Sequence, residues 1–336
     1  MRRIGSGMAT VLISVLLVAA CGGSGTTGAV QTVTLRISTV TASPDVFFSH
    51  GLTAWRDLVQ QKSNGKLKLQ IFMGTITTDA VAEAKDVQAG TIDGAVTDTT
   101  SFSSIYPSLG VLDLWFLLSG YPQLAKVLQG PLGQQWIKGI DQAGVGITAL
   151  DFWYSSFFQL GTLKPVATPD QIAGLRIRVL PSPVGIAYTK AIGANPTPLA
   201  YGELYSALQT HLIDGVGTNL SGFTGIKLQE LIKYVTLLNF QAQGALLFMN
   251  EAKFKSLSPN FQQILMDTAK TMATTELGYV EASDQSQQKV MSDAGVQIIT
   301  PTPDQRQQWV TKARTADAQF ATQFGQSVIN QISNTT

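Results

Sequence analysis

Val33-Thr34-Leu35-Arg36-Ile37-Ser38 alternates apolar and polar residues, the period of a strand with one face turned inward. Leu52, Trp55, Leu58 and Val59 then recur at helical spacing, and Asn64-Gly65 supplies a helix stop. Leu67, Leu69 and Ile71 alternate again as a second strand. Asp79 to Ala89 has helical character, closes at Gly90 and leads into the apolar run Ile92 to Val96. Strand, helix, strand, helix, strand predicts a parallel α/β sheet, because each parallel crossover needs a helix.

A similar unit begins at Leu175. Leu175, Ile177 and Val179 alternate with Arg176 and Arg178, Pro181-Ser182-Pro183 turns the chain, and a helix is expected from about Val184 to Ile192, broken by Pro196 and Pro198. Tyr201, Leu204, Tyr205 and Leu208 mark one face of the next helix. An internal echo follows: Ile92-Asp93-Gly94-Ala95-Val96-Thr97-Asp98 lines up with Ile213-Asp214-Gly215-Val216-Gly217-Thr218-Asn219. Each copy opens a short strand and delivers a Thr-Asp or Thr-Asn pair at its carboxyl end, where ligands bind in open α/β sheets. Two such edges facing each other would form a clam-shell cleft.

Helical periodicity returns at Phe254, Leu257, Phe261, Ile264, Leu265 and Met272 and continues to Met291; Val296-Ile298-Ile299 reads as a short strand, and Pro301 to Thr336 as one or two outer helices. At the other end, Arg2 and Arg3 precede the apolar run Met8 to Ala20, which reads as a secretory signal. Val18-Ala19-Ala20-Cys21 resembles a bacterial lipobox. Cys21 would then be acylated after cleavage of residues 1–20, leaving the Gly/Ser/Thr-rich stretch to residue 32 as a lipidated tether.

Composition narrows the function classes. The 336 residues are 44% hydrophobic and 13% charged, enough to bury one large or two medium cores. Without Arg2 and Arg3 the chain holds 21 basic against 22 acidic residues, so no nucleic-acid partner is expected. Cys21 is the only cysteine and His50 and His211 the only histidines, which excludes a Cys–His dyad and a His/Cys metal site in the mature chain. Gly144-Val145-Gly146-Ile147-Thr148-Ala149 fits a loose dinucleotide fingerprint, but it follows a helical segment and leads into a strand, the reverse of the required order. No cofactor is implied. A hydrolase using carboxylates such as Asp79, Asp98 and Asp113 is the residual enzyme reading, and a sensor domain feeding a signalling partner is a third class.

Ordered blocks between Leu35 and about Phe240 carry a resemblance. They are Gly90-Thr91-Ile92-Asp93-Gly94, Pro107 with Gly110-Val111-Leu112-Asp113-Leu114, and Pro165 to Gly174 ahead of Leu175-Arg176-Ile177-Arg178-Val179. Ile192 to Pro198, Glu203 to Thr210 and Ile213-Asp214-Gly215 complete the set. The chain resembles the DctP-like solute receptors of tripartite ATP-independent periplasmic (TRAP) transporters. The resemblance implies a two-domain α/β clam-shell with a long bracing helix, a ligand closed between the domains, no catalysis, and membrane subunits driven by an ion gradient as partners. The expected first domain is 33–152 plus about 241–280, and the second 153–240 plus about 281–330.

By the same resemblance Arg178 clamps a ligand carboxylate, a task suited to the guanidinium fork. Asp98 suits two roles, an acidic pocket residue or a strand-end cap; Tyr201 likewise suits a pocket aromatic or the start of its helix. Two departures stand out. A gapless reading puts Phe157 where acid-binding relatives have a second arginine, and the family's Asp-Gly-Gln-Glu-Asn run becomes Asp214-Gly215-Val216-Gly217-Thr218, with Asn219 displaced by one. Trp153, Tyr154 and Phe157 fit either core or an aromatic cleft wall. In the latter case, with Thr218 and Asn219 beside them, the expected ligand is a small organic acid with one carboxylate and an apolar or aromatic body.

Overall fold

The computed structural model describes residues 32–44, 46 and 49–335, so the signal, the tether and Cys21 lie outside the described residues. The chain runs β1 (Val33–Thr39), α1 (Ser49–Lys62), β2 (Leu67–Met73), α2 (Ala80–Gln88) and β3 (Gly94–Asp98). It continues through α3 (Thr99–Phe102), a 3-10 helix over Pro107–Asp113, α4 (Tyr121–Gln129), α5 (Pro131–Gln142) and the long β4 (Ile147–Phe157). A second group comprises β5 (Gln159–Thr162), β6 (Arg176–Val179), α6 (Pro183–Ala191), β7 (Asn195–Pro198), α7 (Leu204–Gln209), β8 (Gly215–Thr218), α8 (Leu220–Gly225) and β9 (Tyr234–Thr236). Then follow β10 (Ala242–Asn250), α9 (Glu251–Ser256), α10 (Pro259–Asp293), β11 (Gln297–Ile299), α11 (Pro303–Ala313), α12 (Ala318–Phe324) and α13 (Gln326–Ser333).

Two sheets result. In the first, β1 pairs in parallel with β2 and β3, as the alternation requires, and α1 covers it with Leu52, Trp55 and Val59. α1 ends because Asn64 (φ 49°) and Gly65 (φ 73°) turn into the left-handed region. Asp79 caps α2 by accepting the backbone N–H of Val81 and Ala82 at 2.8 and 3.1 Å. Past β3 the sheet becomes mixed: β10 is antiparallel to both β3 and β4, giving the order β2-β1-β3-β10-β4.

The second sheet has the order β11-β9-β5-β8-β6-β7. Pro196 and Pro198 break no ladder because β7 is its edge strand. Asn195 and Leu199 donate their N–H groups to Leu175 and Val179, so the even-numbered positions, where proline lacks a donor, face outward. The chain passes between sheets at Phe158 and over Leu237–Gln241, and α10 leads from the first sheet to β11 in the second. β4 stays in the first sheet as far as Phe157, beyond the expected domain limit at 152. The helical periodicity read as one element is interrupted: Leu257 is extended, Ser258 caps α10 by accepting the Phe261 N–H, and Pro259 opens it.

The C-terminal segment forms three helices, one more than the upper expectation. α11 packs on α6 while α12 packs on the Pro107–Asp113 helix, and Gln123 of α4 donates to the Ile332 carbonyl at 2.9 Å. The tail thus touches elements beside both sheets instead of only the second.

Candidate functional site

The Ile-Asp-Gly echo is a structural repeat. Asp93 accepts the Arg36 N–H at 2.7 Å and returns its own N–H to the Arg36 carbonyl; Asp214 does the same with Arg176 at 2.9 Å. Each exchange aligns a short strand, β3 or β8, beside its parallel neighbour. At the strand's carboxyl end Asp98 caps α3 and Asn219 caps α8. One device therefore delivers a polar residue to the same end of each sheet.

Two adjoining hollows lie there, of about 20 and 40 Å³. Phe158, Arg178 and Leu180 line both. Asp98, Tyr201, Thr218 and Gln243 belong to the second hollow, while Trp115, Ile192, Phe240 and Trp309 belong to the first, whose wall also carries Thr100, Ser182 and Gln241. Arg178 is 1% exposed. Its Nε donates to the Leu199 carbonyl and its Nη1 to the Gly217 carbonyl, both at 3.1 Å, and Nη2 has no partner. Gly217 suits this place because a Cβ would meet the Phe240 ring at 3.0 Å. Burial lowers the Arg178 pKa to about 10, so the group stays cationic at neutral pH. Asp98 accepts the Ser101 N–H at 2.8 Å and its hydroxyl at 2.9 Å; burial raises its pKa, opposed by those bonds and by the charge of Arg178. A buried guanidinium with two nitrogens fixed by carbonyls and a third open is suited to an anionic oxygen.

Residues 37–323 match the DctP family, bacterial extracellular solute-binding protein family 7. The chain belongs to it. The 2,3-diketo-L-gulonate-binding periplasmic protein YiaO of Escherichia coli is 32% identical over 73% of this chain and 75% of its own. A TRAP solute-binding protein of Sulfurospirillum deleyianum, solved with bound succinate, superposes with TM-score 0.85 at 28% identity, covering 90% of this chain and 99% of that one. One from Bordetella bronchispeptica, with density assigned to pantoate, gives 0.85 at 29%, covering 91% and 100%. The DctP-family clam-shell is thus the fold, with α10 as its long helix.

Within this DctP-family site the residues expected from sequence separate into two groups. Asp98, Arg178, Tyr201 and Thr218 come together on the second hollow; Asp98 also caps α3, and Tyr201 opens the 3-10 turn Tyr201–Glu203 ahead of α7, with its hydroxyl donating to the Gly222 carbonyl at 3.0 Å. Trp153, Tyr154 and Phe157 do not line either hollow. Trp153 is fully buried against Trp55, with its indole N–H donating to the Ala269 carbonyl at 2.9 Å. Tyr154 lies in the main core, and Phe157 packs edge-on against Tyr121 at 5.3 Å. The aromatic of this run that lines the hollows is Phe158, one position on, where β4 has ended. Asn219 donates to Ser155 Oγ at 2.9 Å and accepts the Gly222 N–H, which ties β4 to α8 outside the hollows.

Sequence reasoning missed Thr100, Ser182, Gln241 and Gln243, and gave Asp113 only a passing place among carboxylates. Asp113, 1% exposed, accepts from Thr100 Oγ1, Ser182 Oγ at 2.8 Å and Gln241 Nε2 at 3.3 Å; Gln243 reaches Thr100 at 2.9 Å. Ser182 immediately precedes α6 beside the second sheet while Gln241 leads into β10 of the first, so one carboxyl group joins both. Burial is the main cause of an Asp113 pKa raised to about 7, and of a Glu83 pKa raised to about 8 where Ser38 donates at 2.7 Å. Both groups hold a proton in the folded chain at pH values where the unfolded chain has released it. Their contribution is full below about pH 4 and is lost as pH rises through 7 to 8. Asp113→Asn, which cannot ionise, is expected to gain thermal stability relative to wild type between pH 5 and 8. A melting series over that range checks it; a constant or shrinking difference contradicts the assignment.

Proposed function

We propose that this protein is the extracytoplasmic receptor of a TRAP-type secondary transporter, capturing a small organic acid and delivering it to the membrane subunits. The observation that carries this reading is the buried Arg178 on the wall of both hollows, held by the Leu199 and Gly217 carbonyls with Nη2 left open. The two lobes proposed are 33–157 with about 241–280 and 158–240 with about 281–330, the expected limit at 152 moved to the end of β4. Family membership and the carboxylate ligands named for the relatives support the solute class.

The ligand proposed is a monocarboxylate with an apolar or aromatic body. Arg178 is the one cationic side chain lining either hollow among the described residues, Phe158 stands beside it, and Asp98 opposes a second negative charge. A second carboxylate entering unpaired would lose several kcal/mol on desolvation. At a hundred times its dissociation constant a ligand adds about 2.7 kcal/mol, which raises the melting temperature by roughly 5–10 °C. In a thermal-shift panel on ligand-stripped protein, branched or aromatic monocarboxylates are expected to give that shift. A shift with succinate or malate and none with monocarboxylates would overturn the ligand class while leaving the receptor reading in place.

The same reading anchors the mature chain to the membrane through a diacylated Cys21, since two or more acyl chains hold where one does not. Cys21→Ser is expected to move the protein from the membrane pellet to the soluble fraction. A serine variant that stays in the pellet refutes the anchor.

A further inference from the structure

The two hollows, of about 20 and 40 Å³, hold little more than a few waters. Arg178 is 1% exposed, so anything larger reaches it only when the elements around the hollows move apart. Two contacts between the first-sheet and second-sheet sides mark where they part. A Cβ on Gly202 would lie 2.2 Å from Thr78 Oγ1 and 2.7 Å from Thr78 Cβ. One on Gly225 would lie 2.7 and 2.9 Å from the Val46 methyl groups and 2.8 Å from the Tyr201 hydroxyl. Neither glycine has a positive φ, so a larger residue suits the backbone at both places; what it would not suit is the approach of the opposite segment.

Gly202 lies in the turn Tyr201–Glu203 and Gly225 ends α8, both on the second-sheet side, whereas Val46 precedes α1 and Thr78 precedes α2 on the first. Tyr201 adjoins both contacts, and it lines the second hollow together with Val40 and Ala80 from the same two first-sheet segments. Each segment is fixed. The Val46 carbonyl accepts the Ser49 N–H at 3.1 Å, and Thr78 runs directly into Asp79, the cap of α2. Across the seam, the Glu203 carboxylate accepts the Ala200 N–H at 2.8 Å and Asn219 caps α8. Segments held in this way separate as bodies, not by the swing of one side chain.

We propose that Gly202 and Gly225 are the positioning residues of a two-point seam that seals the second hollow, and that this seam must part before a solute reaches Arg178. Glycine at each point lets the first-sheet segment seat close enough to exclude solvent. The seam goes beyond the receptor reading by giving it an entry step, and it does not depend on which solute is bound.

The test needs no solute. Cys21 is the only cysteine, so Cys21→Ser protein carrying Thr218→Cys has one thiol, at a second-hollow wall position that is 1% exposed. Its rate of alkylation by iodoacetamide reports how often the hollow opens. Gly202→Ala and Gly225→Ala, each adding a methyl group to the seam, are expected to raise that rate about tenfold. Thr78→Gly removes the atoms that the new methyl group meets, and should bring Gly202→Ala back to within about threefold of its parent. Thr78→Ala keeps the Cβ and should do so only in part. Ala245→Cys in place of Thr218→Cys puts the thiol in the core of the first sheet, where labelling reports unfolding and should not change between variants. A rate that neither glycine variant raises, a rise that Thr78→Gly leaves in place, or a parallel rise at Ala245→Cys overturns the seam and leaves the receptor reading untouched. Thr78→Leu, a change at an exposed position, crowds Gly202 from the other side and carries the test if neither glycine variant folds.

Discussion

Arg178→Ala is expected to weaken ligand binding by about 10- to 150-fold. On the proposed reading the guanidinium's unpartnered nitrogen gives the ligand carboxylate one charge-assisted bond, and such bonds contribute about 1.5–3 kcal/mol each, against about 1.4 kcal/mol per decade of affinity. The residue is also structural. Its removal leaves the buried Gly217 carbonyl without the donor that now lies at 3.1 Å, so the variant should lose roughly 1–3 kcal/mol of stability as well. Arg178→Lys separates the two effects, because lysine restores a point charge but not the fork that holds both carbonyls while a third nitrogen serves the ligand. Its affinity should fall between those of wild type and the alanine variant. Calorimetry with the ligand recovered from wild type, alongside melting curves, measures both quantities. An alanine variant binding within threefold of wild type would remove Arg178 from the site.

Trp153→Ala should behave in the opposite way, with a large loss of stability and little change in affinity. Trp153 is fully buried, meets Trp55 of α1 edge-on at 6.1 Å and donates to the Ala269 carbonyl of α10. It therefore joins the first sheet to two helices at once. Truncating a buried tryptophan costs about 3–5 kcal/mol, a fall in melting temperature on the order of 10 °C for a chain of this size. Affinity of the folded variant should stay within about threefold. Unchanged melting with lost binding would return Trp153 to the cleft wall.

Much of the fold was legible because the first five elements carry unambiguous periods: Val33 to Ser38 alternates, Leu52 to Val59 does not, and a parallel sheet follows. Asp98 and Thr218 were legible because the Ile-Asp-Gly echo marks the same strand end twice. The phase of β4 was not. From Ala149 to Phe158 every residue is buried, so no polar face fixes which side chains point where, and a one-residue error exchanges Phe157 for Phe158. Thr100, Ser182 and the neighbouring pair Gln241 and Gln243 come from three separate segments and meet only in three dimensions. The break before α10 was readable in Ser258-Pro259, a cap followed by a first-turn proline, and the apolar spacing running through it concealed it.

The central claim is that Arg178 holds a single carboxylate in a site closed between the two sheets. Native mass spectrometry of protein purified without added ligand, followed by release and identification of what it carries, tests it most directly. The account predicts one small monocarboxylate per chain on the wild-type protein and none on Arg178→Ala. A bound amine, neutral sugar or dicarboxylate, or the same acid retained in full by Arg178→Ala, would contradict it.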